Sequence, residues 1–193
     1  LALDVKTSRF GSRSSPAAVA EGCTRAVGRL RATLPAAEIT IFTCKRADTL
    51  RRHAVERAVE IRDMTRDEAR GEIGKLDLLI LGGGGILYDR DVEMYLREVF
   101  LAHELGVPVF VYAVSAGPLT ARSARSAVRE ALNAAAVVTV RDRQGQRLLE
   151  DTGVTKVIQI TADPALLVQP EPLPGDCLVR EGLDDKPRLV AFS

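Results

Sequence analysis

Apolar residues along this chain follow two rhythms. Short runs rich in branched apolar residues, Leu78 to Leu81, Val107 to Val114, Ala135 to Val140 and Lys156 to Ile160, read as strands of a parallel sheet covered by helices on both faces. Between them apolar positions recur at helical spacing. Val92, Tyr95, Leu96, Val99 and Phe100 make one such stripe, with Asp91 near its start. A second helix, capped by Thr120, runs to about Asn133 with Val128 and Leu132 facing inward. A third, carrying Leu148 and Leu149, is opened by Asp142 and closed by Gly153.

The earlier part of the chain continues the alternation. Leu1 to Val5 reads as a first strand, followed by a polar loop, Lys6 to Ser14, that contains Gly11. Ser15 and Pro16 open a helix with Val19, Cys23, Val27, Leu30 and Leu34 on one face, and Pro35 stops it. Glu38 to Cys44 is a second strand, Val55 to Ile61 a weaker third, and Arg66 to Gly74 a short helix. Strands alternating with helices and no fixed repeat predict an α/β fold, a doubly wound, Rossmann-like parallel sheet. From Gln169 the stretch QPEPLPGD reads as a linker, so 1–168 forms one domain and 169–193 leads toward a second. The abrupt start and the strand-like end at Arg188 to Phe192 suggest a trimmed chain.

Composition narrows the class. With 193 residues, 46% hydrophobic and 27% charged, the chain suffices for one well-buried domain. The 27 basic and 26 acidic residues leave a net charge of +1, so no overall field marks a nucleic-acid binder. No apolar run approaches the roughly 20 residues of a membrane span. The amino terminus lacks the pattern of a signal peptide. Cys23, Cys44 and Cys177 stand far apart in no metal-binding spacing, which fits a reduced cytoplasmic compartment and predicts no metal. The sequence indicates no cofactor.

Candidate chemistry gathers at the ends of strands. Four glycines, Gly82, Gly83, Gly84 and Gly85, follow the run Leu78 to Leu81. They precede Ile86, Leu87 and Tyr88, so neither a Walker A loop nor a dinucleotide fingerprint fits. A tight turn with backbone N–H groups open to a ligand is the expectation. In such sheets ligands bind outside the carboxyl ends of the strands, and Gly11, Gly82 to Gly85, Ser115 to Gly117, Arg141, Asp142 and Asp163 are all expected there.

Arg141 offers a planar fork for carboxylate or phosphate; an ion pair with Asp142 or Asp163 is the competing reading. Asp163, before Pro164, also suits a turn, and Arg122, Arg125 and Arg129 read as a solvated helix face. Ser115 in AVSAG echoes a nucleophile elbow. Both histidines, His53 and His103, precede it, however, which is the wrong order for that triad, and each reads as a surface residue on or near a helix.

Three stretches taken together, DLLILGGGGILYD from Asp77, VYAVSAGPL from Val111, and VTVRDRQGQRLLEDTGV through ITADPALL from Val138, resemble the polysaccharide pyruvyl transferase family over roughly Ala17 to Val168. The resemblance implies the amino-terminal half of a two-domain, glycosyltransferase-B-like enzyme. It implies transfer of a pyruvyl group from phosphoenolpyruvate, a co-substrate, to two hydroxyls of a cell-surface sugar precursor. The product is a cyclic ketal; the acceptor could be lipid-linked and the enzyme a homo-oligomer.

On this resemblance Arg141 contacts an anion, Gly82 to Gly85 line the cleft, and Asp163 orients its wall, with Gly11, Ser115 and Gly117 beside them. The family's first loop, Gly-Asn-x-Gly-Asp-Glu, is here FGSRSSPAAV, and its catalytic histidine motif belongs to a second half. A nucleotide-sugar glycosyltransferase and a non-catalytic sugar-binding relative are the alternatives.

Overall fold

The structure, a computed structural model, describes residues 2–5, 27–167, 176–180 and 182. In chain order they form β1 (Ala2–Val5), α1 (27–33), β2 (Thr40–Phe42), α2 (Arg46–Arg52), β3 (Arg57–Val59) and α3 (Arg66–Ile73). There follow β4 (Leu79–Leu87), α4 (Val92–Glu104), β5 (Val109–Ala116), α5 (Arg122–Ala134), β6 (Val137–Val140), α6 (Arg143–Thr152), β7 (Ile158–Ile160) and a short α7 (Cys177–Arg180). Single 3₁₀ turns occupy Ile61–Asp63 and Pro164–Leu167.

All seven strands join one parallel sheet in the order β3-β2-β1-β4-β5-β6-β7. This is the Rossmann order with one strand added, and it reverses direction between β1 and β4.

The period-2 alternation divides the core between the two faces. Leu79, Leu81, Val109, Val111, Val138 and Val140 pack with Leu96, Val99, Val128, Leu132 and Leu149 of α4, α5 and α6. Ile39, Ile41 and Ile80 point the other way, onto Val27 and Leu30 of α1. Each such fully buried aliphatic side chain contributes about 1.5–3 kcal/mol relative to exposure. The α3 helix starts on a capping box, in which Glu68 N–H donates to Thr65 Oγ1 while Thr65 N–H donates to Glu68 Oε2 at 2.8 Å.

Several expectations need correction. Gly82 to Gly85 are not a turn after the strand but its continuation, since β4 runs through them to Leu87. Gly82 pairs with Tyr112, Gly84 with Val114 and Gly85 with Ser115. Gly83 and Gly84 take φ of +74° and +83°, a ladder geometry that residues with a side chain rarely adopt. Likewise β5 reaches Ala116, so Ser115 lies inside the strand. The segment Arg46–Arg52 is a helix where none was expected.

Thr120 does not cap α5: the cap position is Ala121, which has no side-chain bond. His53 is buried at 7% exposure, and the Nε2 of half-buried His103 is buried, so neither is a plain surface histidine. Burial lowers the pKa of both imidazoles, because the charged form loses hydration. Gly11, Ser15, Pro16, Cys23 and the linker stretch from Gln169 to Gly175 lie outside the described residues.

Candidate functional site

Strand register decides which residues meet at the carboxyl edge. Gly84, Val114, Val140 and Ile160 are successive register partners across β4, β5, β6 and β7. One residue further along, Gly85 pairs with Ser115, Arg141 N–H donates to Val114 O at 3.1 Å, and Thr161 N–H donates to Val140 O at 2.8 Å. Gly85, Ser115, Arg141 and Thr161 therefore form the next rank. Asp163 follows two residues later. Gly82 pairs with Val5 of β1, so the glycine segment stands at the switch point, where crossovers leave to opposite faces and open a crevice. Beside Gly83 and Gly84 a Cβ would meet no atom within 4 Å, which leaves their backbone open to close approach.

A bulge in β5 aims the rim. Ala113 takes φ of +47°, and the β5–β6 register shifts between Val111 and Val114. The Thr139 hydroxyl accepts from Ala113 N–H at 2.8 Å and donates to Val111 O at 3.3 Å, satisfying the backbone that the bulge unpairs. Val114 and Ala116 consequently pack into the helix-covered core where a regular strand would have placed Ala113 and Ser115.

Asp142 is the hub of the rim. Its Oδ1 accepts from Gly145 N–H at 2.6 Å, capping α6 as expected, and its Oδ2 accepts from the Ser115 hydroxyl at 2.8 Å. The Gly145 N–H is the main cause holding this carboxyl below its ordinary pKa, with the Ser115 bond and the Arg141 charge adding to it. Ser115 thus spends its proton on a carboxylate. It keeps lone pairs as acceptors, and no histidine stands in a triad with it.

Arg141 takes the ion-pair arrangement: Nη1 lies 2.6 Å from Asp163 Oδ2, and Nε lies 3.8 Å from Asp142 Oδ2. Its side chain is still 30% exposed, and Nη2 has no partner among the described residues. Asp163 also accepts from Ala165 N–H at 2.9 Å, the turn-forming role its position before Pro164 suggested. Both carboxylates hold the guanidinium at the edge, with one nitrogen free for an added anion.

Two residues that sequence reasoning missed complete the edge. The Tyr88 ring lies over the ends of β4 and β5, and a Cβ at Gly117 would overlap it, while one at Gly85 would come within 2.8 Å of its Cε2. The Tyr88 ring is thus a sufficient steric reason for glycine at both positions. Asp89 accepts from Thr120 N–H at 2.9 Å, Ala121 N–H at 3.0 Å and the Thr120 hydroxyl. It holds the N–H of the cap residue Ala121 and of Thr120 before it, and so ties the segment after β4 to the one after β5. The Thr120 hydroxyl bond, then the Thr120 N–H, lower its pKa. The sequence offered Thr120 itself as the cap, and a carboxylate just past a neighbouring strand was the available signal.

Among the described residues no group of three or more His, Cys, Asp or Glu is placed to hold a metal, and no helix is long and apolar enough to cross a membrane. The expectation for Arg122, Arg125 and Arg129 holds only for the first and last. Arg125 is half-buried, donating to the carbonyls of Leu119 and Asp151.

The comparisons with known proteins agree with the motif reading. No match was found among curated proteins or among solved structures. The model of the polysaccharide pyruvyl transferase family matches residues 25–188, a span that takes in α1 through α7 and every described rim residue. With the glycine strand, the Arg141–Asp142 pair and Asp163 all inside that span, the chain belongs to the polysaccharide pyruvyl transferase family.

Proposed function

We propose that this chain forms the donor-binding half of a glycosyltransferase-B-like enzyme that moves a pyruvyl group from phosphoenolpyruvate to a sugar of a cell-surface polysaccharide precursor in the cytoplasm. One acceptor hydroxyl adds to C2 of the enolpyruvate while the methylene carbon gains a proton and becomes a methyl group. A second hydroxyl then takes the place of the phosphate at C2. The C–O bond to phosphorus-bearing oxygen breaks, the second hydroxyl proton leaves with the phosphate, and a cyclic ketal remains.

The donor is compact and multiply anionic. It calls for a guanidinium fork and hydrogen-bond donors rather than a large apolar pocket. In this reading Arg141 turns Nη2 toward the donor carboxylate or phosphate while Asp163 keeps Nη1 in place. Gly83 and Gly84 allow the donor close to the strand, and Ser115 accepts from an acceptor hydroxyl. The observation that carries the reading is the family match joined to the placing of Ser115 and Arg141 in one rank at the edge.

The test is incubation of the enzyme with both halves present, together with phosphoenolpyruvate and candidate acceptor glycans, followed by mass spectrometry of the sugar and assay of released phosphate. A sugar that gains a pyruvyl ketal with stoichiometric phosphate supports the reading. Gain of a hexose from a nucleotide sugar, or no turnover, would contradict it.

A further inference from the structure

The outer face of α5 and the end of α6 border an open groove of about 640 Å³ that is lined by none of Ser115, Arg141, Asp142 and Asp163. Arg122, Arg125 and Arg129 line it, with the hydroxyl-bearing Thr120 and Ser126 on one wall and Thr152 on the other. Elsewhere on the described surface arginines mostly face carboxylates, as Arg31 faces Glu56, Arg57 faces Glu72, and Arg66 and Arg70 face Glu104. The three groove arginines form no ion pair among the described residues. A helix face that merely solvates its charges leaves such side chains free, but Arg125 is seated by the fold.

Arg125 is held by neutral acceptors only, donating from Nη1 to Leu119 O at 3.2 Å and from Nη2 to Asp151 O, so its charge is fixed in place without being neutralised. Arg129 donates to Ser126 Oγ at 3.3 Å, and its Cδ would lie 3.0 Å from a Cβ on Gly153. A side chain at Gly153 would displace it. Arg122 is exposed and makes no hydrogen bond among the described residues, which leaves it able to close over a ligand. Three guanidiniums against the one carboxylate of Asp151 leave a surplus of two positive charges in the groove. Guanidinium forks match the oxygens of a phosphoryl group, and pre-positioned ones lose less rotamer entropy on binding.

We infer that this groove is a second anion site, one that takes a phosphoryl dianion such as a phosphate monoester or a diphosphate. The site does not depend on the pyruvyl-transfer reading, since Arg141, Ser115, Asp142 and Asp163 take no part; it meets the rim only at Thr120, whose hydroxyl donates to Asp89. The same chemistry is offered by a soluble phosphate compound and by a phospholipid headgroup, and the experiment separates the two.

Inorganic pyrophosphate is titrated at constant ionic strength while backbone amide resonances are followed. In parallel, the protein is co-sedimented with phosphatidylcholine vesicles with and without phosphatidic acid. Saturable shifts centred on Ser126, Thr152 and Gly153 are expected, weakened roughly tenfold or more in the Arg122→Ala/Arg129→Ala double variant. The Arg143→Ala/Arg147→Ala pair removes two exposed cations of α6 that do not line the groove, and it should leave binding within roughly twofold.

Binding of pyrophosphate without vesicle preference assigns a soluble ligand. Preference for phosphatidic acid that the groove variant abolishes assigns a headgroup. Absence of both, or equal weakening by the two pairs, overturns the site.

Discussion

The Tyr88 ring fills the space that a side chain at Gly117 would need, locking the end of β4 against the end of β5. Gly117→Ala should therefore force the ring out and destabilise the protein by about 1–3 kcal/mol, the usual penalty for overpacking. Urea unfolding measures this. The double variant Tyr88→Ala/Gly117→Ala should show less than the sum of the two single losses, because the clash disappears with the ring. Gly28 and Gly71 lie in helices where a Cβ would meet nothing within 4 Å, so Ala at either should stabilise by about 0.5–1 kcal/mol.

Asp142→Ala removes the α6 cap and the acceptor of Ser115. A loss of about 1–2 kcal/mol at neutral pH is expected, most of it from the cap, since the carboxylate is 40% exposed and its charge terms are screened. The pH dependence follows from the lowered pKa. The folded state releases this proton more readily than the unfolded chain, so the stabilisation is complete above the unfolded carboxylate value of about 3.9 and disappears as pH falls through the lower folded value. Unfolding curves of wild type and variant should converge in acid; a constant gap would show that ionisation of Asp142 is irrelevant.

Glu98 has the opposite sign. Its side chain is 1% exposed on α4, with Oε1 held by Arg97 at 2.8 Å and Oε2 buried without a partner. Burial raises its pKa, and Arg97 offsets only part of that. The folded state therefore holds the proton more tightly, and this contribution is full below the unfolded value of about 4.3 and is lost as pH rises through the folded one. Glu98→Met should gain stability relative to wild type between about pH 4 and pH 7. A difference that stays flat over this range would refute the assignment.

Asp89→Ala leaves the N–H groups of Thr120 and of the cap residue Ala121 without an acceptor and unties the segments after β4 and β5. A lower melting temperature is expected, with faster hydrogen exchange confined to the amides of Thr120, Ala121 and the first turn of α5. Global exchange changes without that local signature would remove this role.

These residues also show where sequence reasoning stops. Leu78 to Leu81, Val109 to Val114 and the stripe from Val92 to Phe100 declare themselves by period alone, because burial on one or both faces leaves its mark on every residue. The continuation of β4 through Gly82 to Gly85 does not. Glycine composition reads as a turn, and only pairing with Tyr112, Val114 and Ser115 of β5 makes it a strand. At the site, Arg141, Asp142 and Asp163 were legible because each sits next to its strand. Asp89 was not, because its partner Thr120 is 31 residues away and the bond depends on the two strand ends lying side by side. Tyr88 escaped notice for the same reason: an aromatic after a glycine run looks like core until the neighbouring strand end is in place.

The central claim is that the edge carrying Arg141 binds phosphoenolpyruvate, and calorimetric titration of that donor tests it most directly. Arg141→Ala is compared with Asp163→Asn, which breaks the 2.6 Å ion pair but keeps the guanidinium, so loss of the pair is separated from loss of the anion contact. The account predicts that Arg141→Ala weakens binding roughly tenfold or more while Asp163→Asn keeps it or tightens it. Equal affinity of wild type and a folded Arg141→Ala variant would contradict it.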